Sequence, residues 1–507
     1  MKLLKLSAIL LFLLACFTIK AQKRPNIILF LVDDMGWQDT SVPFWDSITA
    51  ANKKFHTPNM ERLAARSMKF TNAYANSICT PSRVSLMSGM NAARHRVTNW
   101  TMFKNEAVDP KDSILSIPDW NVNGLSPEKG LERSVYVTAL PQLLKNVGYY
   151  TIHCGKAHFG AYQTPGADPL NIGFDVNIAG SAAGNPASYM AEDDYGNVQG
   201  KFNLRAVPGL KKYWGSHTFL SEALTLEAQL AMDSALEKKQ PFFLYMAHFA
   251  VHVPYNDDPR YFERYRKMGL DSSEAAYAGL VEGMDASLGR LMQYLKDHQL
   301  EKNTIIIFMS DNGGLSNPPR SGKVNSQNYP LRDGKGSLYE GGIREPMLVD
   351  WPGVTKPGSE TSQYVVIQDF FPTILEMAKV KNYKTVQTID GESFVPTLKN
   401  KNYTDSTRTL IWHFPNKWAG ASNDKEFSWM SALRKGNWKL IYFQKNGKLE
   451  LYNLKNDIGE QHNLSSVFPE KVKELAKLLT TKLKNHNAQM PLIEQNGERV
   501  KWPDEVK

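Results

Sequence analysis

Three continuous apolar runs, each followed by polar residues, most constrain how this chain can fold. Uninterrupted apolar runs of this length are typical of strands buried on both faces of a mostly parallel sheet. Ligand sites in such sheets form at the carboxyl ends of the strands. We therefore expect the polar side chains that follow the three runs to meet at one edge of the sheet. The runs and their polar followers are residues 25–32 with Asp33 and Asp34, residues 242–246 with His248 and His252, and residues 304–309 with Asp311 and Asn312.

Apolar residues at helical spacing lie between these runs. They predict helices over residues 59–64, 221–238 and 277–295, and a further helix that starts after Pro81 and closes at Gly89. Strands that alternate with such helices indicate an α/β fold. After about residue 400 the pattern changes to short strands at residues 431–434, 438–443 and 449–453, followed by a helix over residues 470–485. This indicates a small antiparallel sheet with one covering helix.

The amino terminus has the pattern of a bacterial export signal. A basic start, with Lys2 and Lys5, is followed by an apolar run too short to span a bilayer. We favour cleavage after Ala21, because Leu14 fits poorly in the alternative, a lipobox that would attach a lipid to Cys16. The chain thus divides into a signal peptide (1–21), a main α/β domain (22–400) and a C-terminal α+β subdomain (401–507). We expect a periplasmic or secreted protein, with lipid anchoring through Cys16 as the alternative and no membrane domain.

Charge gives only a weak indication of the partner. The chain has 60 basic and 51 acidic residues, a net charge of +9, and three of the lysines lie in the predicted signal. The remaining excess would attract anionic substrates, although ordinary solubility charge explains it equally well. The chain has no long basic run and no aromatic-interleaved basic patch, so the sequence does not predict nucleic-acid binding.

The cysteines are compatible with two interpretations, a disulfide or a chemically converted Cys79. Of the three cysteines, cleavage after Ala21 would leave Cys79 and Cys154. An exported protein with two cysteines commonly forms a disulfide between them. Chemical conversion of Cys79 would prevent that bond and leave Cys154 as a lone thiol.

The acids and the amide that follow the first and third apolar runs form a candidate metal site. Asp33, Asp34, Asp311 and Asn312 offer only oxygen ligands, which suit Ca²⁺ or Mg²⁺ better than zinc. Either pair alone is also a common turn sequence. Their joint position at predicted strand ends favours a metal site.

The pentapeptide from Cys79 to Arg83 has the form Cys-x-Pro-x-Arg and precedes a predicted helix. It therefore places Cys79 near a helix N-terminus, where free N–H groups stabilise anions. The pentapeptide resembles the signature of the type I, formylglycine-dependent sulfatases. Other segments resemble that family in the same order along the chain: Asp33-Asp34, residues 93–95, 155–160, 250–254, Asp311-Asn312 and 333–346. The chain departs from the family at Ala157, where tryptophan is common, and at Val251, where proline is frequent.

The resemblance implies an alkaline-phosphatase-like fold and an arylsulfatase-like enzyme, in particular a bacterial carbohydrate sulfatase. It implies that a maturation enzyme oxidises Cys79 to formylglycine, whose hydrated form, a geminal diol, attacks sulfur and later eliminates sulfate. One divalent ion, calcium rather than magnesium, would help Asp311 to activate the attacking hydroxyl. The resemblance assigns the metal ligands to Asp33, Asp34, the converted Cys79, Asp311 and Asn312.

The resemblance also assigns the remaining catalytic roles. Arg83 and Lys156 would hold the diol and its charge, and His158 would take the proton in the elimination step. His252 and Lys335 would bind sulfate and protonate the leaving oxygen. We expect the concentrated positive charge to lower the pKa of the lysines, which would make Lys335 or His252 a suitable acid.

The expected substrate is a sulfated carbohydrate, such as galactose or N-acetylgalactosamine sulfate. Candidate substrate contacts outside the shared motifs are Trp100, Asp175 and His413, although packing explains the aromatic residues around His413 equally well. One alternative is an alkaline-phosphatase-like phosphatase or phosphodiesterase, which would have a Ser or Thr nucleophile and two metals. The other is a non-catalytic binder of sulfated glycans with an unmodified Cys79.

Overall fold

The computed structural model describes residues 24–316, 328–418 and 428–506. The predicted signal peptide and Cys16 lie outside these residues. Within them, the strands in chain order are β1 (Asn26–Val32), β2 (Met68–Tyr74), β3 (Leu115–Ser116), β4 (Leu125–Ser126), β5 (Val135–Tyr136), β6 (Tyr150–Gly155), β7 (Val176–Ile178), β8 (Phe242–Ala247), β9 (Thr304–Ser310), β10 (Arg344–Asp350), β11 (Ser359–Thr361), β12 (Val365–Val366), β13 (Thr409–Phe414), β14 (Met430–Lys435), β15 (Trp438–Phe443), β16 (Lys448–Asn453) and β17 (Leu492–Ile493).

The α-helices of the described residues lie between and after these strands. In chain order they are α1 (Ala50–Lys54), α2 (Pro58–Ala64), α3 (Cys79–Ser88), α4 (Ala92–His95), α5 (Leu140–Lys145), α6 (Leu220–Glu237), α7 (Phe262–Lys267), α8 (Ser272–Asp297), α9 (Glu340–Ile343), α10 (Phe370–Met377), α11 (Val395–Lys399) and α12 (Pro469–Asn485).

A nine-stranded sheet forms the centre of the molecule, in the order β11-β2-β10-β9-β1-β8-β6-β7, with β12 also paired to β2. The three predicted strands are neighbours: β1 lies between β8 and β9 and runs parallel to both, with Ile28 opposite Leu244 and Ile306. Only β10 runs antiparallel to its partners in this sheet. The prediction of a mostly parallel sheet is confirmed.

Helices cover both faces of the sheet, which explains why β1 is apolar throughout. Ile28, Phe30 and Val32 pack into one core with residues of α6 and α8. Ile27 and Leu29 point to the other face and pack with residues of α3 and α10. Alternate side chains of a strand face opposite sides, so both must be apolar when both sides are buried.

The predicted helices form, with shifted ends. The shift at α3 matters most, because this helix begins at Cys79 rather than after Pro81. Proline is tolerated in the first turn of a helix, where its missing N–H would have no partner in any case. Gly89 ends α3 in the left-handed conformation with a φ of 71°, as the sequence predicts.

The four strands β13–β16 form a separate antiparallel sheet, and α12 packs against it. The predicted small sheet with one covering helix is therefore confirmed, with β13 as an additional first strand. The main boundary that we place at residue 400 stays a prediction. None of the helices in the described part of the chain combines the length and hydrophobicity that crossing a bilayer would require.

Candidate active site

Four neighbouring strands of the central sheet end in polar residues at the same edge. Asp33 follows β1, Asp311 follows β9 and Lys156 follows β6, while the chain after β8 leads to His252. Asp34 adopts a left-handed φ of 61°, which turns the chain away from the strand direction. These side chains therefore lie together at the carboxyl edge of the sheet, as predicted. His248 differs, because it is buried among the core residues and its Nε2 lies 2.9 Å from Ser287 Oγ.

Three buried ion pairs hold the site together. In each pair a carboxylate of the strand ends meets a cation from another part of the chain, and the cation is almost inaccessible to solvent. The pairs are Lys156 Nζ with Asp33 Oδ2 at 2.6 Å, Lys335 Nζ with Asp34 Oδ1 at 2.6 Å, and Arg83 Nη2 with Asp311 Oδ2 at 2.8 Å. Arg83 also donates from Nη1 to the carbonyl oxygen of Lys156, at 2.8 Å. The structure therefore brings the predicted metal ligands and cations into one cluster.

The pKa values of two carboxylates in this cluster are shifted in opposite directions. Burial and the neighbouring Asp311 carboxylate raise the pKa of Asp33 well above its usual value, against the opposing effect of Lys156. Burial also acts to raise the pKa of Asp34, but Lys335 and His252 outweigh it and leave the pKa lowered. A divalent cation would reduce the repulsion between Asp33 and Asp311.

Two oxygen atoms of the cluster lack hydrogen-bond partners. Asp33 Oδ1 and Asn312 Oδ1 are buried and have no hydrogen-bond partner among the described residues. Buried polar atoms normally have a partner, and carboxylate and amide oxygens are the ligands that Ca²⁺ and Mg²⁺ prefer. The residues present therefore fit the divalent ion that the sequence predicts.

His252 is a further candidate ligand, which the sequence assigned to sulfate instead. One ligand atom each from Asp33, Asp34 and His252 lie within 4.8 Å of one another. The Nδ1 atom of His252 lies 2.9 Å from the carbonyl oxygen of Val253. Because a carbonyl oxygen can only accept, Nδ1 carries the hydrogen, and the lone pair of Nε2 faces Asp34, whose Oδ2 is 3.5 Å away. A histidine held in this way is suited to metal ligation.

Cys79 lies beside His158 at the first turn of α3. Its side chain is buried, and Sγ is 3.4 Å from His158 Nδ1. The other ring nitrogen, Nε2, donates to the carbonyl oxygen of Thr101 at 3.0 Å. This leaves the Nδ1 lone pair directed at residue 79. Burial, with the nearby charge of Lys156, lowers the pKa of His158 well below its usual value, so the ring is a neutral proton acceptor.

Two glycines make this arrangement sterically feasible. Gly155, with a φ of 106°, precedes Lys156, and a Cβ there would lie 1.9 Å from the carbonyl oxygen of Ala247. A Cβ on Gly184 would lie 2.6 Å from Cε1 of His158. Real Cβ atoms do not approach other atoms so closely, so residue 155 requires glycine, and a side chain at residue 184 would displace the His158 ring.

The structure does not support a disulfide between Cys79 and Cys154. Cys79 and Cys154 are both unpaired thiols. Cys154 lies on β6, where its Sγ is 3.2 Å from the carbonyl oxygen of Leu224 and the surrounding side chains form a hydrophobic core. No disulfide therefore competes with the chemical conversion of Cys79.

A cavity of about 210 Å³ opens onto the site. The predicted residues Cys79, His158, His252 and Lys335 line it, together with Trp100. Arg83 and Lys156 do not line it and lie behind it, fully buried, where they contact Asp311 and Asp33. Burial opposes the charge of Lys335, but attraction to Asp34 outweighs it and raises the pKa. The expectation of a lowered lysine pKa is therefore wrong for Lys335, because its nearest charge is negative.

Two predicted substrate contacts do not reach the cavity. Asp175 lies by the start of β6, at the opposite edge of the sheet, where it pairs with Lys145 at 2.8 Å and accepts from Thr151. His413 is buried in β13, where its ring nitrogens lie 2.8 Å from Ser431 Oγ and 2.6 Å from the carbonyl oxygen of Gln489. Their contacts are those of structural residues.

Other residues line the cavity that sequence reasoning missed. Trp418, Arg205 and Asn185 are the polar or aromatic members of this group. None belongs to a recognisable motif, and they come from segments far apart in the chain. The aromatic and polar segment predicted to contact substrate, residues 411–415 with His413, ends three residues before Trp418.

Family models match nearly all of the described chain. The model described as "Sulfatase" matches residues 25–380, and the model described as "N-sulphoglucosamine sulphohydrolase, C-terminal" matches residues 333–489. The first match contains the whole charged cluster and Cys79. The second contains Lys335 and the four-stranded sheet.

Two relatives illustrate the similarity. A protein named "Sulfatase" from Formosa agariphila is 30% identical over 539 residues, which cover 96% of this chain and 94% of the relative. The N-acetylgalactosamine-6-sulfatase of Homo sapiens is 32% identical over 398 residues, which cover 75% of this chain and 66% of the relative.

Solved structures share the fold over nearly the whole chain. The crystal structure of Ps i-CgsB in complex with k-i-k-neocarrahexaose matches with a TM-score of 0.72 and 26% identity, and the match covers 94% of this chain and 95% of that chain. The structural matches confirm the predicted alkaline-phosphatase-like fold.

Proposed function

The chain belongs to the sulfatase family, and from this premise we propose that it is an exported enzyme that hydrolyses O-sulfate esters on carbohydrates. We propose that it does so with a formylglycine formed from Cys79 and one divalent metal ion, calcium rather than magnesium. The observation that carries the proposal is the position of Cys79. It lies at the N-terminus of α3, 3.4 Å from a neutral His158 and in the same cavity as Lys335 and His252.

The metal ion would be held by the oxygen atoms of Asp33, Asp34, Asp311 and Asn312, with residue 79 and His252 beside them. The unpartnered Asp33 Oδ1 and Asn312 Oδ1 support this assignment. Oxygen ligands of this kind favour a hard divalent cation. When bound, the ion would supply positive charge. Formylglycine, after addition of one water, would supply two hydroxyl groups, one as the nucleophile and the other to let sulfate leave as the aldehyde re-forms.

The chain's own residues would then divide the remaining tasks. Lys335 stays protonated beside Asp34 and lines the cavity, so it can hold a sulfate oxygen and donate a hydrogen to the leaving oxygen. His158, with its Nδ1 lone pair directed at residue 79, can accept a proton there. Arg83 and Lys156 position the carboxylates from behind rather than contacting substrate.

A carbohydrate substrate is supported by the cavity and by the relatives. Trp100 and Trp418 line the cavity and offer aromatic surfaces of the kind that pack against sugar rings. The human relative is named for N-acetylgalactosamine 6-sulfate, and Ps i-CgsB was solved with a bound oligosaccharide. We propose galactose or N-acetylgalactosamine sulfate as the sugar.

We further propose export and a maturation partner. The basic and apolar pattern of the first residues supports a periplasmic or secreted enzyme, cleaved after Ala21 or lipidated at Cys16. Conversion of the Cys79 thiol to an aldehyde is an oxidation, and we propose that a formylglycine-generating enzyme carries it out. Mass spectrometry of the mature amino terminus from the native host distinguishes the two cleavage sites.

Two measurements on the same sample test the function. The first is peptide mass spectrometry of residue 79 from the native host, where we expect formylglycine rather than a thiol. The second is release of inorganic sulfate from a panel of sulfated mono- and oligosaccharides, with the matching phosphate esters alongside. Cys79→Ala is the matched control, since it removes the precursor and is expected to abolish sulfate release without changing the fold.

The alternatives give different results in this test. Release confined to phosphate esters would indicate a phosphatase or phosphodiesterase. A thiol at residue 79, with saccharide binding but no release, would indicate a glycan-binding protein. Either result would overturn the proposal.

A further inference from the structure

Arg205 lines the cavity together with Cys79 and Lys335, and it belongs to none of the shared motifs. We propose that Arg205 binds a second anionic group of the substrate, a sulfate or a carboxylate, next to the sulfate ester that is cleaved. The preferred substrates would then be saccharides that carry at least two anionic groups. This inference rests on the proposed function and narrows its substrate class.

The other cations near the cavity form ion pairs with carboxylates of the site. Lys335, Lys156 and Arg83 each pair with a buried carboxylate of the site, at 2.6 to 2.8 Å. Arg205 is exposed, and its guanidinium forms no ion pair or side-chain hydrogen bond with another residue of the described ranges. It is thus a cation in the cavity wall whose charge the described residues do not neutralise.

The backbone of Arg205 is fixed although its side chain is not paired. The Arg205 N–H donates to Asn203 Oδ1 at 3.0 Å, and the N–H of Ala187 donates to the Arg205 carbonyl oxygen at 2.7 Å. The segment of Ala187 also contributes Asn185 to the cavity. Because its backbone is held in place, the Arg205 side chain extends into the cavity from a fixed position.

Exposure separates Arg205 from the reacting atoms. Cys79 and His158 are buried at the inner end of the cavity, whereas Arg205 is exposed and so belongs to its mouth. Trp418 and Trp100 line the same cavity. A sugar ring held against these aromatic residues, with its sulfate ester directed at residue 79, would present its other substituents, or the next sugar, to Arg205.

The chemistry of arginine selects the class of group. The planar guanidinium donates two parallel hydrogen bonds to sulfate or carboxylate oxygens and stays charged at all relevant pH values. Neutral sugar hydroxyls would gain much less from this contact. A charge-assisted hydrogen bond of this kind changes affinity by roughly tenfold or more.

The test compares substrates that differ in one anionic group. The kcat/KM for sulfate release is measured on a singly sulfated saccharide, on the same saccharide with a second sulfate, and on one with a neighbouring uronate. We expect the unmodified enzyme to prefer one or both of the doubly anionic substrates by about tenfold or more. A preference confined to the second sulfate or to the uronate identifies which group Arg205 binds.

Substitution then assigns the preference to Arg205. Arg205→Ala should bring the ratio of kcat/KM between doubly and singly anionic substrates close to one, and Arg205→Lys should restore part of it. Lys201→Ala removes an exposed charge from the same segment that does not line the cavity, and it should leave the ratio unchanged. Thermal unfolding of each variant confirms that the fold is retained.

The inference is overturned if the unmodified enzyme shows no preference, or if Arg205→Ala leaves the ratio as it was. It is also overturned if Lys201→Ala lowers the ratio as much as Arg205→Ala, since the effect would then be general charge attraction. In each of these cases sulfate is still released, so the proposed function stands. Absence of sulfate release from every saccharide is a different result and rejects the proposed function itself.

Discussion

Lys439 Nζ, in the small C-terminal sheet, lies 2.9 Å from Glu340 Oε1, in the segment that follows Lys335. The same ammonium lies 2.9 Å from Glu460 Oε1, and all three side chains are inaccessible to solvent. The backbone N–H of Glu340 donates to Glu460 Oε2 at 2.6 Å. The C-terminal sheet is therefore attached, through buried charges, to the segment that supplies a cation to the active site.

Loss of the Lys439 charge should destabilise the protein strongly. Lys439→Met leaves two buried carboxylates without their shared cation, and breaking such a buried pair costs about 3–5 kcal/mol. Lys448→Met is the matched control, because Lys448 also pairs with a glutamate of this sheet, at 2.7 Å, but is 56% exposed. An exposed pair contributes about 0–1 kcal/mol. Urea unfolding measures both, and equal losses would contradict the prediction.

The contribution of the Lys439, Glu340 and Glu460 cluster to the free energy of unfolding should fall as the pH rises toward neutrality. Burial raises the pKa of Glu460 from 4.5 to about 7, although Lys439 acts in the opposite direction. The folded state therefore binds this proton more tightly than the unfolded state. Its contribution to stability is complete below pH 4.5 and is lost as the pH rises through about 7.

Glu460→Gln tests this sign. The amide cannot ionise, so we expect the variant to lose less stability than the unmodified protein between pH 4.5 and pH 7.5, as measured by the urea midpoint. Glu494→Gln, at an exposed position away from the cluster, is the control. A steeper pH dependence in Glu460→Gln than in the unmodified protein would show that the sign is wrong.

Removal of divalent metal should lower both activity and thermal stability. A ligand present at a hundred times its Kd stabilises the folded state by about 2.7 kcal/mol. We expect a chelator to lower the Tm and abolish sulfate release, and Ca²⁺ to restore both more fully than Mg²⁺. Differential scanning fluorimetry and the sulfate assay follow the two effects.

Asp311→Asn should remove this response to metal, because it takes a charged oxygen from the cluster. Asp119→Asn is the matched control, since Asp119 is 79% exposed and pairs with Arg133 on the surface. If Asp119→Asn abolished the response, or if Asp311→Asn kept it in full, the cluster would not be the metal site.

Asp109 should control substrate binding without touching substrate. Its Oδ1 accepts from Asn99 and from Asn416, both at 2.9 Å, and its Oδ2 accepts from Trp120 at 3.0 Å. Asn99 precedes Trp100, and Asn416 lies two residues before Trp418, so Asp109 ties together the two segments that carry the cavity tryptophans. Asp109→Asn replaces an acceptor with a donor and should weaken this connection.

The expected result for Asp109→Asn is a raised KM with a smaller change in kcat, because the charged cluster is left intact. Asp168→Asn offers a control, since Asp168 also accepts side-chain and backbone hydrogen bonds but lies outside the cavity. A fall in kcat at unchanged KM would place the effect of Asp109 on chemistry rather than on binding.

Local sequence patterns predicted the parts of the site that depend on neighbouring residues along the chain. Asp33 and Asp311 were found because each lies within two residues of the end of an apolar run, and the sheet brings the ends of such runs together. The helix after Cys79 was found from its spacing and from Gly89. The start of that helix was misplaced, because proline was read as a boundary although the first turn tolerates it.

Residues whose roles depend on tertiary contacts could not be found in this way. Arg205, Asp109 and Trp418 lie in irregular segments, and only the folded chain brings Arg205 and Trp418 to the cavity and Asp109 between the segments behind it. Asp175 was predicted as a substrate contact outside the shared motifs, yet the sheet places it at the edge that the site does not occupy. The sequence also did not reveal that the nearest charge to Lys335 is Asp34, which decided the direction of its pKa shift.

The buried position of Cys79 has a consequence for the order of oxidation and folding. The side chain is 4% exposed and lies in the first turn of a helix that packs under the central sheet. In the folded chain this residue is reached through the cavity of about 210 Å³, which is far too small to admit the maturation enzyme proposed above. Under the proposed function, oxidation of Cys79 would therefore have to take place before the chain folds. A chain that folded before oxidation would remain inactive, and the active fraction of a preparation would then measure how often oxidation came first.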